Sequence, residues 1–179
     1  MYTHLVLLRG INVSGHHMIK MEALKKSLEV FGFTQVQTYI QSGNVFVTTP
    51  EIDSHAVEFD VKQQIFKTFG FDVPTIVVSK SDLASCLSNN PFLKTSSVDT
   101  KKLYVAFVSK TLSNESIHDL KISNIKPDEV AIDENRIYIK YDVSPAKTRL
   151  DQKYIEKKLA VTATIRNWNT VNALLAMYS

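Results

Sequence analysis

The chain has 179 residues, 44% hydrophobic and 22% charged, a balance that excludes intrinsic disorder and suits one domain or two small ones sharing a core. Its net charge is only +3 and its single cysteine, Cys86, has no partner for an internal disulfide, so a disulfide scaffold is excluded. No apolar run approaches the roughly 20 residues that cross a bilayer, and Tyr2–Leu8 begins without the basic region and cleavage site of a signal peptide; a cytoplasmic protein with no membrane partner is expected.

The first apolar segment, Tyr2–Arg9, is bounded by Gly10 and predicts a buried central strand. Met21, Leu24, Leu28 and Phe31 then recur at helical spacing up to Gly32. Gln35–Gln41 alternates, Ser42-Gly43 makes a tight turn, and Asn44–Thr49 follows, which predicts a hairpin. Val57, Val61, Ile65 and Phe69 form an i, i+4 stripe on a second helix that stops at Gly70, and Pro74–Ser79 is a short β-branched strand. A short helix through Leu87 ends before Asn89-Asn90-Pro91, since the residue before proline disfavours helix. The polar stretch Thr95-Ser96-Ser97 is expected to be a linker.

The same order then recurs. Lys102–Val108 is a strand, Ile117 and Leu120 lie on a helix, and Glu129–Asp133 with Arg136–Tyr141 form a second hairpin around Glu134-Asn135. Asp151–Leu159 is a helix, Thr162–Ile165 a strand, and Trp168, Val171, Leu174, Leu175 and Tyr178 stripe a terminal helix with Asn167 or Asn169 as its cap. Two passes of strand, helix, strand, strand, helix, strand predict an α+β fold, a tandem of two ferredoxin-like βαββαβ subdomains. The expected divisions are residues 1–79, a linker helix and loop over 80–100, and 101–179 with the terminal helix.

Charge is unevenly placed along this repeat. Residues 1–89 hold 7 Lys/Arg against 8 Asp/Glu, so the basic excess lies in the second half, concentrated between Arg136 and Arg166. That excess suits a phosphate or nucleic acid, and it equally suits a solvated helix and its loop. No CxxC, HExxH or EF-hand spacing is present, so no metal or cofactor is expected. Cys86, set among Leu83, Ala84 and Leu87, has the surroundings of a buried, inert thiol.

The segment Arg9-Gly10-Ile11-Asn12-Val13-Ser14-Gly15 leaves a central strand toward a helix N-terminus. Backbone N–H groups there favour an anion, glycines permit close approach, and Arg9 offers two hydrogen bonds to a phosphate or carboxylate. A plain turn needing its two glycines accounts for the same residues.

Three stretches together resemble the signature blocks of the domain of unknown function 1697 family, a group of small bacterial proteins: Leu7–Val13, Tyr39–Val45 and Arg166–Val171, with Asn90-Pro91-Phe92 similar to a fourth. The resemblance implies two modified ferredoxin-like subdomains and implies no activity. At two places the chain departs from it: Met18 stands where the family usually carries a lysine, and Ser144–Arg149 replaces a Gly-Arg-Ser-Lys-like run.

The candidate ligand-binding residues are Arg9, Gly10 and Asn12, then Gln41, Ser42, Gly43 and Asn44, and in the second half Lys147, Arg149, Arg166 and Asn167. With the first and third strands of each half expected to run parallel, Arg9–Gly15 and the Ser42-Gly43 turn would lie at opposite ends of the first half. Gln41–Asn44 and Arg166–Asn167 would then occupy matching ends of their halves. The leading function is binding of a small phosphorylated ligand. The alternatives are a single-stranded nucleic-acid module, for which Tyr104, Phe107 and Tyr138 are the strand aromatics, and an enzyme with a non-standard site.

Overall fold

The computed structural model describes residues 1–13, 15, 17–94, 98–113 and 115–178, and the backbone alone at Ile117 and Ile122. Ser14, His16 and the expected linker Thr95-Ser96-Ser97 lie outside the described residues. The chain divides into two compact units, Met1–Leu83 with Leu174–Ser179, and Ala84–Ala173.

The first unit contains β1 (Tyr2–Leu8), α1 (Met21–Phe31), β2 (Thr34–Tyr39), β3 (Asn44–Thr49), α2 (Ser54–Phe69) and β4 (Thr75–Val78), and the chain continues into α3 (Lys80–Ser88). The strand order is β2-β3-β1-β4, antiparallel throughout. Leucines and a valine fill β1, and Val45, Phe46 and Val47 with two threonines fill β3; both strands are central and buried on both faces. Helix α1 buries Met21, Leu24 and Leu28 at i, i+3 and i+7, and α2 buries Val57, Val61 and Ile65 at i, i+4 and i+8. These stripes close one core with Val6, Leu8, Val45 and Val47. Between the helices Gln64 Nε2 donates to the Ser27 carbonyl at 3.1 Å, and the hydroxyls of Ser27 and Thr68 meet at 2.7 Å.

The second unit repeats the order with β5 (Leu103–Val108), α4 (Ser116–Asp119), β6 (Glu129–Asp133), β7 (Arg136–Lys140), α5 (Gln152–Leu159) and β8 (Ala163–Asn167). Its sheet runs β6-β7-β5-β8, again antiparallel. Its core gathers Ala106, Ile137, Ile139, Leu150, Ile155 and Ala163. Helix α6 (Trp168–Met177) follows β8 without a break; Asn167 caps it by accepting from the Thr170 N–H at 2.8 Å.

Two elements differ from their sequence expectation. Helix α4 is a single turn, because Leu120 already sits at its C-cap and Lys121 takes a left-handed φ of 48° that a helix cannot continue through. Strand β8 runs two residues past Ile165, since its ladder with β5 extends through Arg166↔Val105 and Asn167↔Tyr104.

The arrangement also overturns an expected strand direction. The first and third strands of each unit run antiparallel, not parallel: Leu7 faces Asn44 in the first unit and Phe107 faces Arg136 in the second. A hairpin makes β3 antiparallel to β2, and a strand inserted between β1 and β2 opposes both.

Candidate functional site

Because β1 ends where β3 begins, the Arg9–Asn12 loop and the Gln41–Gly43 turn are neighbours at one end of the first sheet. Backbone groups and the Asn12 side chain take part in holding this end together. Leu8 N–H donates to the Gly43 carbonyl at 2.7 Å, and Arg9 N–H donates to the Pro74 carbonyl at 2.9 Å. Asn12 holds a left-handed φ of 56°, and its Nδ2 donates to the carbonyls of Ile19 at 3.0 Å and Gln41 at 2.9 Å. Its Oδ1 accepts from the Ile19 N–H at 2.8 Å. Asn12 is therefore the pin between loop and turn.

Gly43 shows how close the two segments are. At φ 74°, a Cβ built there would lie 2.7 Å from Leu8 Cβ and 3.0 Å from Ile11 Cδ1, inside van der Waals contact and with a neighbour that cannot swing away. Asn44 is fully buried; its Nδ2 donates to the Tyr39 carbonyl at 3.0 Å and to Ser42 Oγ at 3.2 Å. Gly43 and Asn44 thus shape the turn, while Arg9, Gly10 and Ser42 are part-exposed and Gln41 is exposed. Ile40 carries φ 51° at 50% exposure. A β-branched residue in this region is strained, and no burial compensates it.

Along Arg9–Asn12 the sign of φ alternates, with Gly10 at 70° and Asn12 at 56° and neither Arg9 nor Ile11 positive. The Arg9 N–H is spent on the Pro74 carbonyl and the Asn12 N–H on the His17 carbonyl at 3.2 Å, so of this segment the amides of Gly10 and Ile11 are the ones an anion-binding nest would use.

The candidates of the second unit are placed differently. Arg166 is 7% exposed; its Nη1 donates to Thr164 Oγ1 at 2.7 Å and to the Ile165 carbonyl at 3.0 Å, and burial pulls its pKa down to about 10. Asn167 is exposed and spends its Oδ1 as the cap of α6. Lys147 and Arg149 are exposed on the loop after β7. That loop is held by buried Asp128, which accepts from the Asp142 N–H at 2.8 Å and from Thr148 Oγ1, and by Tyr141 Oη donating to the Leu150 carbonyl at 2.8 Å. Arg166–Asn167 and the 141–150 loop lie at the β5 N-terminal end of their sheet. The hairpin turn corresponding to Gln41–Gly43 lies at the other end, beside Val108. The expectation of matching ends is thus corrected, and for the same reason of strand direction.

Of the strand aromatics considered for base stacking, Phe107 and Tyr138 are buried and Tyr104 packs edge-on against Tyr141 with centroids 4.9 Å apart. Cys86 is fully buried, and burial pushes its thiol up to about 11, as its apolar neighbours predicted.

Sequence reasoning missed a cleft of about 500 Å³ in the second unit, where Ser88, Asn89, Pro91 and Lys94 meet Ala131, Ile132 and Asp133. Its one visible signal was the Asn90-Pro91-Phe92 block. Among the described residues no helix is long and apolar enough to cross a membrane.

Two four-stranded antiparallel sheets, each packed with helices in βαββαβ order, define an α+β protein of two ferredoxin-like subdomains. The chain belongs to the family described as Protein of unknown function (DUF1697), whose model matches residues 1–138. It is also similar to a solved conserved bacterial protein from Streptococcus pneumoniae, with 23% identity, a TM-score of 0.72, and coverage of 99% of this chain and 98% of that one. That likeness carries the fold alone. No curated protein matches the chain.

Proposed function

We propose that the first unit binds a small phosphate-containing ligand at the joined Arg9–Asn12 loop and Gln41–Gly43 turn. The observation that carries this reading is the Asn12 side chain, which bonds twice to Ile19 and once to the Gln41 carbonyl and so holds the loop against the turn. The supporting features are the alternating φ signs along the loop, the strained and exposed Ile40, and the glycine forced at position 43. Energy spent on exposed backbone strain marks a place where shape matters more than stability.

In this reading the roles divide. Gly10 and Ile11 offer backbone N–H groups, Arg9 supplies the guanidinium that matches a phosphate with paired hydrogen bonds, and Gln41 and Ser42 offer side-chain donors from the turn. Asn12, Gly43 and Asn44 position these groups and take no part in contact. Lys147, Arg149, Arg166 and Asn167 belong to the second unit, and the proposal does not require them.

A thermal-shift titration with inorganic phosphate, pyrophosphate and nucleoside monophosphates tests the reading. A ligand at about tenfold its dissociation constant stabilises the folded form by about 1.4 kcal/mol, which for a chain of this size raises Tm by about 4 °C. Arg9→Ala should remove the rise relative to its own ligand-free Tm. A panel in which no phosphate compound raises Tm, or in which Arg9→Ala responds like the parent, refutes it.

A further inference from the structure

We infer that the cleft in the second unit receives an extended acidic peptide, which adds as a strand along the free edge of β6. This proposal is independent of the phosphate reading and concerns a different unit.

Side chains along a strand alternate between the two faces of a sheet, so a cavity over one face touches every second residue. Here Ala131 and Asp133, with Tyr138 opposite Ala131 on β7, line the cleft from one face, and Ile132 between them lines it as well. The cleft therefore lies over that face and reaches round the strand's edge. β6 is the outermost strand of its sheet and pairs only with β7 among the described residues. An edge of this kind presents backbone N–H and C=O groups in the spacing of a strand, and binding by strand addition uses them. The facing wall comes from the segment after α3, so the edge is walled into a groove.

The charges lining the groove select the occupant. The Asp133 carboxylate is engaged, with Arg136 Nε at 3.3 Å and Tyr138 Oη donating at 3.4 Å. Lys94 is exposed, and no ion pair is described for it. The unspent charge of the groove is a cation, which favours a carboxylate on the incoming chain. A second observation points the same way. Asn90, between the lining residues Asn89 and Pro91, is 3% exposed. Its Oδ1 accepts from the Phe92 N–H at 3.0 Å, whereas its Nδ2 has no acceptor among the described residues. A buried donor left unmet is destabilising, and an acceptor brought by a chain bound beside Asn89 and Pro91 is the kind of group that relieves it.

The experiment is selection of a displayed random heptapeptide library on the whole chain, followed by affinity measurement of the enriched peptides by fluorescence polarisation. Enriched sequences should be β-branched with at least one Asp or Glu. Their binding should slow hydrogen exchange at the amides of 131–133, weaken about tenfold in Lys94→Glu, and stay unchanged in Arg9→Ala. Because Lys94 is exposed, circular dichroism of Lys94→Glu should match the parent. No enrichment, protection outside β6, or binding indifferent to Lys94→Glu overturns the proposal.

Discussion

Substituting Gly43 by alanine separates the two physical demands on the turn at once. An alanine at φ 74° bears a left-handed strain of about 1–2 kcal/mol. Its Cβ would also lie 2.7 Å from Leu8 Cβ and within 3.1 Å of Ile11. Leu8 Cβ is fixed to the β1 backbone, so strand and turn must part, and overpacking of this kind costs about 1–3 kcal/mol more. Gly10→Ala is the internal control, because Gly10 has φ 70° with nothing within 4 Å of its would-be Cβ and carries the strain alone. Gly43→Ala should therefore lose about 2 kcal/mol beyond Gly10→Ala. Hydrogen exchange of the β1 and β3 amides reports opening of this unit directly, and the difference corresponds to about 30-fold faster exchange. Rates within about threefold of each other in the two variants would refute the claim that loop and turn are in close contact.

The other expected outcomes follow from individual bonds. Asn12→Gly keeps the left-handed backbone and deletes three hydrogen bonds, so unit-one stability in the same exchange assay should fall by about 2 kcal/mol; a loss under about 0.5 kcal/mol would contradict the role of Asn12 as a pin. Asp128→Asn weakens the acceptor that holds the loop bearing Lys147 and Arg149, so limited trypsin digestion should cut after those residues faster than in the parent, and an unchanged cleavage map would contradict it. The Cys86 thiol, raised from 9.0 to about 11 by burial, should resist a thiol reagent at pH 8 until the protein unfolds. The sign for stability follows: the folded form keeps a proton that the unfolded form releases, so this contribution is intact below about pH 9 and is lost as pH rises through about 11. Rapid labelling of the native protein would contradict it.

Much of the fold was legible because local composition and tertiary role agree. Val, Ile and Leu runs became central strands, the i, i+4 stripe on α2 became its buried face, and the asparagine before Trp168 became a cap. The α4 helix was overcalled from Ile117 and Leu120, since two apolar residues do not reveal a left-handed break at Lys121. The site was read less well. Arg9, Gly10 and Asn12 of the loop and Gln41–Asn44 of the turn were candidates and Ile11 was not, and strand direction was assigned wrongly, and with it which ends are neighbours. Burial of Arg166 left no trace in the sequence, because a charged residue at a strand end reads as solvated by default. The cleft depends on a strand edge meeting a segment more than 35 residues away in sequence, from Lys94 to Ala131, and periodicity carries no information about that meeting.

The claim on which the account turns is that the Arg9–Asn12 loop and the Gln41–Gly43 turn act as one anion-binding surface. An amide chemical-shift titration of the whole chain with inorganic phosphate measures this residue by residue. The account predicts saturating shifts clustered at Gly10, Ile11, Gln41 and Ser42 together, sharing one dissociation constant. Shifts confined to Lys147 and Arg149, or separate weak responses of loop and turn, would contradict it.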